Sequence, residues 1–250
     1  MPDPSYLPRS DGERVAYRLQ PGSSPGVLWL GGFHSDMNGI KAQALASWGA
    51  RMGRAVLRFD YFGHGESSGD FVRGTISRWR DDALAVLDGV VQGPQVVVAS
   101  SMGGWIALIL ARLRPQRIAG MLLLAPAADF TEALIWERMP QDVRREVMEK
   151  GSWLRRSQYE APYPITRQLI EDGRRNLVLD SKIAPQFPVR IIHGLADPDV
   201  PWQHGLRAAD TIEGEVTVTL VKNGDHRLST PRDIKLIERT LDGLLEDVGG

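Results

Sequence analysis

The segment Ala99-Ser100-Ser101-Met102-Gly103 lies between a β-type apolar run, Gln95-Val96-Val97-Val98, and an apolar stretch from Trp105 to Leu113. A strand that turns sharply into a helix around a serine, with small residues two before and two after it, has the form of a nucleophile elbow. The turn strains the serine backbone, and bulk at either second neighbour would meet the strand or helix packed alongside. With Ser101 at the apex those neighbours are Ala99 and Gly103; with Ser100 they would be Val98 and Met102. Ser101 is therefore the candidate nucleophile, with Ala99 standing where a glycine is more usual.

A serine hydroxyl attacks a carbonyl at neutral pH only if a base removes its proton. In one triad order, nucleophile then acid then histidine, that base sits in a loop beyond the last strand. Of the five histidines only His226 fits, in Asn223-Gly224-Asp225-His226-Arg227 after the apolar run Val216 to Val221. The imidazole needs a carboxylate to hold its tautomer. The segment His193-Gly194-Leu195-Ala196-Asp197-Pro198-Asp199-Val200-Pro201 offers Asp197 and Asp199. Asp197 is preferred because it precedes a proline, as turn aspartates often do, and lies at the carboxyl end of the strand before it, where open α/β sheets place their sites. Asp199 remains its competitor, and turn formation is the other role open to Asp197. A metal site built from His193, Asp197 and Asp199 is disfavoured, since no HExxH pattern or further ligand cluster accompanies them.

The oxyanion formed on attack requires main-chain donors fixed in advance. Met102 N–H, directly after the nucleophile, is one candidate, and Phe33 N–H in Gly31-Gly32-Phe33-His34 is the other. The glycine-rich segment Asp60 to Gly69 resembles a nucleotide loop only superficially. Gly63, Gly65 and Gly69 miss the GxGxxG spacing by one residue, and there is no GxxxxGK[ST]. It reads instead as a turn supporting the oxyanion loop, with His64 structural.

These groups must be positioned by a chain of 250 residues, long enough for one large α/β domain or two small ones. A hydrophobic content of 42% with 24% charged residues excludes a disordered or fibrous protein. With a net charge of −1 and no basic cluster interleaved with aromatics, neither nucleic acid nor an anionic membrane is an expected partner. The absence of cysteine removes disulfides, thiolate metal sites and a cysteine nucleophile. The start, Met1-Pro2-Asp3-Pro4-Ser5-Tyr6, is unlike a signal peptide, and runs such as Met121 to Pro126 are too short to span a bilayer. Cytoplasmic residence is expected, or the mitochondrial matrix if a targeting segment has been removed.

Strands are predicted at Arg14 to Leu19, Gly26 to Leu30, Ala55 to Phe59, Gln95 to Ala99, Ile118 to Leu124, Val189 to His193 and Val216 to Val221. Helices are predicted at Ile40 to Met52, Ile76 to Val91, Met102 to Leu113, Gln203 to Thr211 and Pro231 to Val248. Alternation of the two implies parallel strands with crossover helices, and Tyr6 to Leu19 reads as an edge hairpin. Residues 127–187 break the alternation and are expected to form a helical cap, inserted into a core of 1–126 and 188–250. Helical runs are expected there around Phe130 to Met139 and Gln141 to Lys150, with no strand. Phe130, Leu134, Trp136, Met139, Trp153, Leu154, Tyr159 and Tyr163 either pack this insertion onto the core or form an apolar acyl-binding lid.

The elbow, acid loop and late histidine together resemble the α/β-hydrolase superfamily over nearly the whole chain. Four stretches, Phe33 to Ala42, Ser100 to Trp105, Val200-Pro201-Trp202 and Asp225-His226-Arg227, resemble a narrower family. This is the family of the mitochondrial acyl-glucuronide esterase and palmitoyl-protein thioesterase, with its bacterial relatives. The resemblance implies an eight-stranded, mostly parallel sheet and a serine hydrolase acting on small-molecule esters, acyl-glucuronides or S-acylated protein thioesters. It implies Ser101, Asp197 and His226 as the triad, Phe33 and Met102 as oxyanion donors, and no metal or organic cofactor. Trp105 and Trp202 are candidate pocket residues, and Arg138, Arg155 or Arg156 could pair with a substrate carboxylate. A peptidase, a carbon–carbon bond hydrolase and a non-catalytic binding module are the rival readings.

Overall fold

Successive side chains along a strand point to opposite faces of a sheet, so unbroken apolar strands require cover on both sides. The computed structural model describes residues 3–155 and 162–249. In chain order, β1 (Ser5–Pro8), β2 (Arg14–Gln20) and β3 (Ser23–Leu30) precede α1 (Ile40–Met52). Next, β4 (Arg54–Phe59) leads to α2 (Ile76–Gly89), β5 (Gln95–Ser100) to α3 (Met102–Leu113), and β6 (Ile118–Leu124) follows. A π-helical turn (Thr131–Trp136), α4 (Gln141–Lys150), β7 (Ser152–Arg155), β8 (Tyr163–Thr166) and α5 (Arg167–Gly173) come before the main sheet resumes. The chain ends with β9 (Val189–Gly194), α6 (Trp202–Thr211), β10 (Val216–Val221) and α7 (Pro231–Val248).

Eight strands form one sheet in the order β1-β2-β4-β3-β5-β6-β9-β10. β2 is antiparallel to β1 and β4, and all other neighbours are parallel. The expected edge hairpin and mostly parallel sheet are thus present. In β3, Val27 and Trp29 face α1 and α7, whereas Leu28 and Leu30 face α2 and α3. α3 is buried from Met102 to Ala111, so it lies inside the molecule directly behind the elbow. Thr75 caps α2 and a Thr230/Asp233 capping box starts α7, which is why these helices begin where their apolar periodicity does.

Residues 127–187 differ from the expectation of helices alone. β7 and β8 pair antiparallel, from Ser152↔Thr166 to Arg155↔Tyr163, and α5 follows at once. Each strand is only four residues long and β8 contains Pro164, so neither carries a readable alternation.

Gly103 fixes the approach of α3 to β3: a Cβ there would lie 2.2 Å from Leu30 O and 2.6 Å from Gly31 O. Main chain cannot yield as a flexible side chain can. Gly103→Ala is therefore expected to lower stability by about 2–3 kcal/mol. Gly243→Ala in α7, with nothing within 4 Å of the added carbon, should raise it by roughly 0.5–1 kcal/mol. Urea unfolding midpoints of the two variants measure both effects.

Candidate active site

Ser101 holds the turn from β5 to α3 at φ +54° and ψ −119°, a region non-glycine residues rarely adopt. Its N–H donates to Leu124 O at 3.0 Å, and its carbonyl accepts from Ala127 N–H at 3.0 Å. The residue occupies the N-cap position of α3, yet its side chain makes no capping bond. A serine in that place ordinarily turns its hydroxyl onto the helix amides. Here Oγ instead lies 3.0 Å from His226 Nε2.

His226 reaches Ser101 from the loop after β10, and its Nδ1 lies 2.8 Å from Asp197 Oδ2. A carboxylate accepting at Nδ1 assigns the ring proton there, leaving Nε2 to accept from the serine hydroxyl. Asp197, on the loop after β9, has a fully buried side chain. Its Oδ1 accepts from Asp199 N–H at 2.9 Å and Val200 N–H at 2.8 Å. Burial opposes its ionisation. Hydrogen bonds from His193 and His226, the His226 charge and the Val200 amide outweigh that and hold its carboxyl well below the usual carboxylate range. Asp199 contributes only its main-chain N–H to this arrangement, and its own Oδ2 is buried without a partner among the described residues.

The loop after β3 brings Gly32 against the elbow, where a Cβ would stand 3.3 Å from Ser101 Cβ. Phe33 N–H and Met102 N–H, the expected oxyanion donors, have no acceptor among the described residues. His34, at φ +63°, donates its N–H to His64 Nε2 at 3.2 Å, and His64 Nδ1–H donates to Phe62 O at 3.1 Å. Burial lowers the His64 pKa to about 4, which keeps this prop uncharged. Asp60 Oδ1 accepts from Met37 N–H at 2.6 Å while Arg58 donates to Met37 O at 2.8 Å. The glycine-rich segment therefore clamps the Phe33 loop from beneath.

A cavity of about 580 Å³ opens over Ser101 and His226. Phe33, Phe130, Leu134, Ile135 and Tyr163 form an apolar wall. Phe33 meets Phe130 and Tyr163 edge-on at centroid separations of 5.5 and 5.3 Å. Trp136, Met139, Trp153 and Leu154 do not line the cavity, and Tyr159 lies outside the described residues. Ile135 escaped the sequence reading because a π-helical turn has a wider repeat than an α-helix, which places Phe130, Leu134 and Ile135 on one side.

The three substrate-binding candidates stand elsewhere. Trp105 is completely buried; its indole donates to Asn176 O at 2.9 Å and its ring backs Phe130. One helical turn past Ser101, it points into the core because α3 runs inward. Trp202 at the start of α6 and the exposed Arg138 are both off the cavity wall. Arg155 does line it, and Arg156 is outside the described residues. Lys41 and Arg227, unanticipated, also line it, and the Lys41 ammonium donates to Arg227 O. No sequence signal joined them, since they come from α1 and the loop after β10. Among the described residues there is no cluster of three or more potential metal ligands and no helix long and apolar enough to cross a membrane.

Residues 26–168 match the profile of a family described as Serine aminopeptidase, S33. Palmitoyl-protein thioesterase ABHD10, mitochondrial, of Mus musculus is 38% identical over 245 residues, spanning 97% of this chain and 82% of that protein. The solved structure of alpha/beta hydrolase domain-containing protein 10 from mouse superposes with a TM-score of 0.92 at 38% identity, over 98% of this chain and 99% of that one. A hydrolase from Agrobacterium vitis S4 gives a TM-score of 0.92 at 41% identity, over 97% and 98% of the two chains.

The electrostatics of Asp197 carry a consequence for acid stability. Its folded pKa lies below an unfolded value near 3.8, so its contacts stabilise the fold fully above that value and are lost as pH falls beneath it. The melting-temperature gap between wild type and Asp197→Asn should therefore narrow between about pH 6 and about pH 2.5. A constant gap would mean that the carboxyl is not held ionised.

Proposed function

The chain belongs to the ABHD10 family of serine hydrolases with the α/β-hydrolase fold, and on that premise we propose that it cleaves carboxylic esters or thioesters through Ser101, His226 and Asp197. The continuous chain of contacts from Ser101 Oγ through His226 to Asp197 carries this reading. Oγ attacks the scissile carbonyl as His226 Nε2 takes its proton. The oxygen that becomes negative faces the amides of Phe33 and Met102, which have no other acceptor among the described residues. Collapse expels the alcohol or thiol, protonated by His226, and leaves an acyl-Ser101 ester. Water then attacks that ester with His226 again the base, the carboxylic acid departs, and Ser101 regains its proton. Asp197 keeps its negative charge throughout, holding the imidazole tautomer and stabilising the cation that forms.

Residues 127–187 act as a cap over a core of 1–126 and 188–250. Phe130, Leu134, Ile135 and Tyr163 from this cap, with Phe33, receive the acyl chain. The substrates proposed are S-acylated proteins, the class in the name of the mouse relative, and small-molecule esters including acyl-glucuronides. The proposed location is the cytoplasm or, by analogy with that relative, the mitochondrion. The description of the matching family as serine aminopeptidases supports peptide hydrolysis as a second reading.

Pre-steady-state mixing with p-nitrophenyl butyrate and octanoate should give a burst equal to the enzyme concentration. A fluorophosphonate should label Ser101, and Ser101→Ala should abolish burst and label together. Asp197→Asn should reduce kcat by about 10³–10⁴ while leaving the protein folded. Well-folded wild type with neither burst nor label would defeat the reading. Faster turnover of amide than of thioester substrates would favour the peptidase reading instead.

A further inference from the structure

His193 is a buried titratable side chain that the reaction above leaves unused. It stands near the end of β9 with no exposed surface. Its Nε2 lies 2.9 Å from Val200 O and 3.4 Å from Asp197 Oδ2, so one N–H sits between two acceptors. Nδ1 is buried and has no partner among the described residues. The acceptors around Nε2 therefore select the tautomer, with the proton on Nε2 and Nδ1 bare. On that side the ring rests against α6 at Gly205, where a Cβ would be 2.3 Å from Nδ1. An orphaned ring nitrogen in a core is unfavourable, and an aliphatic side chain would fill the same space without one. What the imidazole provides and an aliphatic group cannot is the Nε2–H.

We propose that His193 is a positioning residue: its Nε2–H fixes the Asp197 carboxylate and the loop bearing it, and so governs how readily His226 takes the serine proton. This rests on the reading of Ser101, His226 and Asp197 given above. Asp197 Oδ2 is shared by two imidazoles, His226 Nδ1 at 2.8 Å and His193 Nε2 at 3.4 Å. Val200 closes the arrangement, since its N–H donates to Asp197 Oδ1 and its carbonyl accepts from His193. His193 thus bonds to Val200, whose N–H holds Oδ1, and stands 3.4 Å from Oδ2. It also draws some negative charge away from His226. The other charged or titratable groups nearby are Asp199 on the same loop, His204 on α6, Asp225 and Arg227 on either side of His226, and Lys41 from α1. Substitution of His193 leaves all five in place.

Without the His193 N–H, the carboxylate presents more charge to His226 and holds its protonated form more tightly. The test is the pH dependence of kcat/KM for p-nitrophenyl butyrate, measured on the full chain for wild type, His193→Leu, His193→Gln and Gly205→Ala, with a thermal melt of each. In His193→Leu the acid limb should move upward by about half a pH unit, and the plateau should fall about tenfold through misplacement of Asp197. The glutamine amide can place an N–H where Nε2–H lay, and should return the limb to its wild-type position. Gly205→Ala displaces the ring from its seat and should move the limb in the same direction as leucine. A wild-type limb in His193→Leu, or a glutamine variant that behaves like leucine, would reduce His193 to a packing role. Should the leucine variant fail to fold, a wild-type limb in Gly205→Ala overturns the proposal equally. Absence of a fluorophosphonate adduct on wild-type Ser101 would instead remove the underlying reading.

Discussion

Ser101 holds a φ of +54°, a conformation that costs a non-glycine residue about 1–3 kcal/mol and persists because its neighbours leave it no alternative. Its N–H is bound to the end of β6 and its carbonyl to Ala127, just beyond that strand. Gly103 presses the first turn of α3 onto the carbonyls of Leu30 and Gly31, and the rest of that helix is enclosed by core. The strain has a geometric result: Oγ points away from the helix amides it would otherwise cap. Three parallel strands, β3, β5 and β6, thus meet at one serine, and the loops leaving their carboxyl ends surround it.

The second half of the site depends on how β9 and β10 hand over to their loops. Leu195 N–H donates to Val221 O at 2.8 Å and Ala196 N–H to Gly224 O at 3.0 Å, so the two loops are stitched side by side. Gly194 allows this approach, since a Cβ there would lie 2.1 Å from Gly224 O. The stitching brings Asp197 to His226 across 29 residues of sequence. Burying a carboxylate there is tolerable only because donors converge on it from Asp199, Val200, His226 and His193. The same enclosure that makes ionisation expensive makes each of those hydrogen bonds stronger.

The cavity joins two chemistries. One wall is aromatic and aliphatic, built by Phe33 with side chains from the π-helical turn and from β8; Lys41, Arg227 and Asp36 line another part. Phe33 thereby has two positions to satisfy at once, with its ring in the apolar wall and its main chain directly after Gly32, which lies against the elbow. Its loop cannot be loose, which is the physical reason for the His64, Asp60 and Arg58 contacts packed beneath it. A glycine-rich segment that superficially resembles a phosphate loop is here a brace.

Local chemistry made much of this legible from the amino-acid sequence. The choice of Ser101 over Ser100 followed from the size of second neighbours, a constraint carried by five adjacent residues. The parallel sheet followed from apolar runs alternating with helical periodicity. Candidates for acid and base could be named because each stands directly after a predicted strand. Residues whose roles depend on distant partners were not legible. Trp105, a pocket candidate, is core and Ile135, not singled out, lines the cavity, because helix direction and a π-helical turn decide which way a side chain points. The β7–β8 ribbon exists only through mutual pairing of two short segments, and Lys41 reaches the cavity only because α1 packs beside the loop after β10. Sequence by itself determined the residue types and the strand ends at which chemistry could occur; tertiary structure decided which of them meet, because hydrogen bonds and burial act over ångströms that chain order does not record.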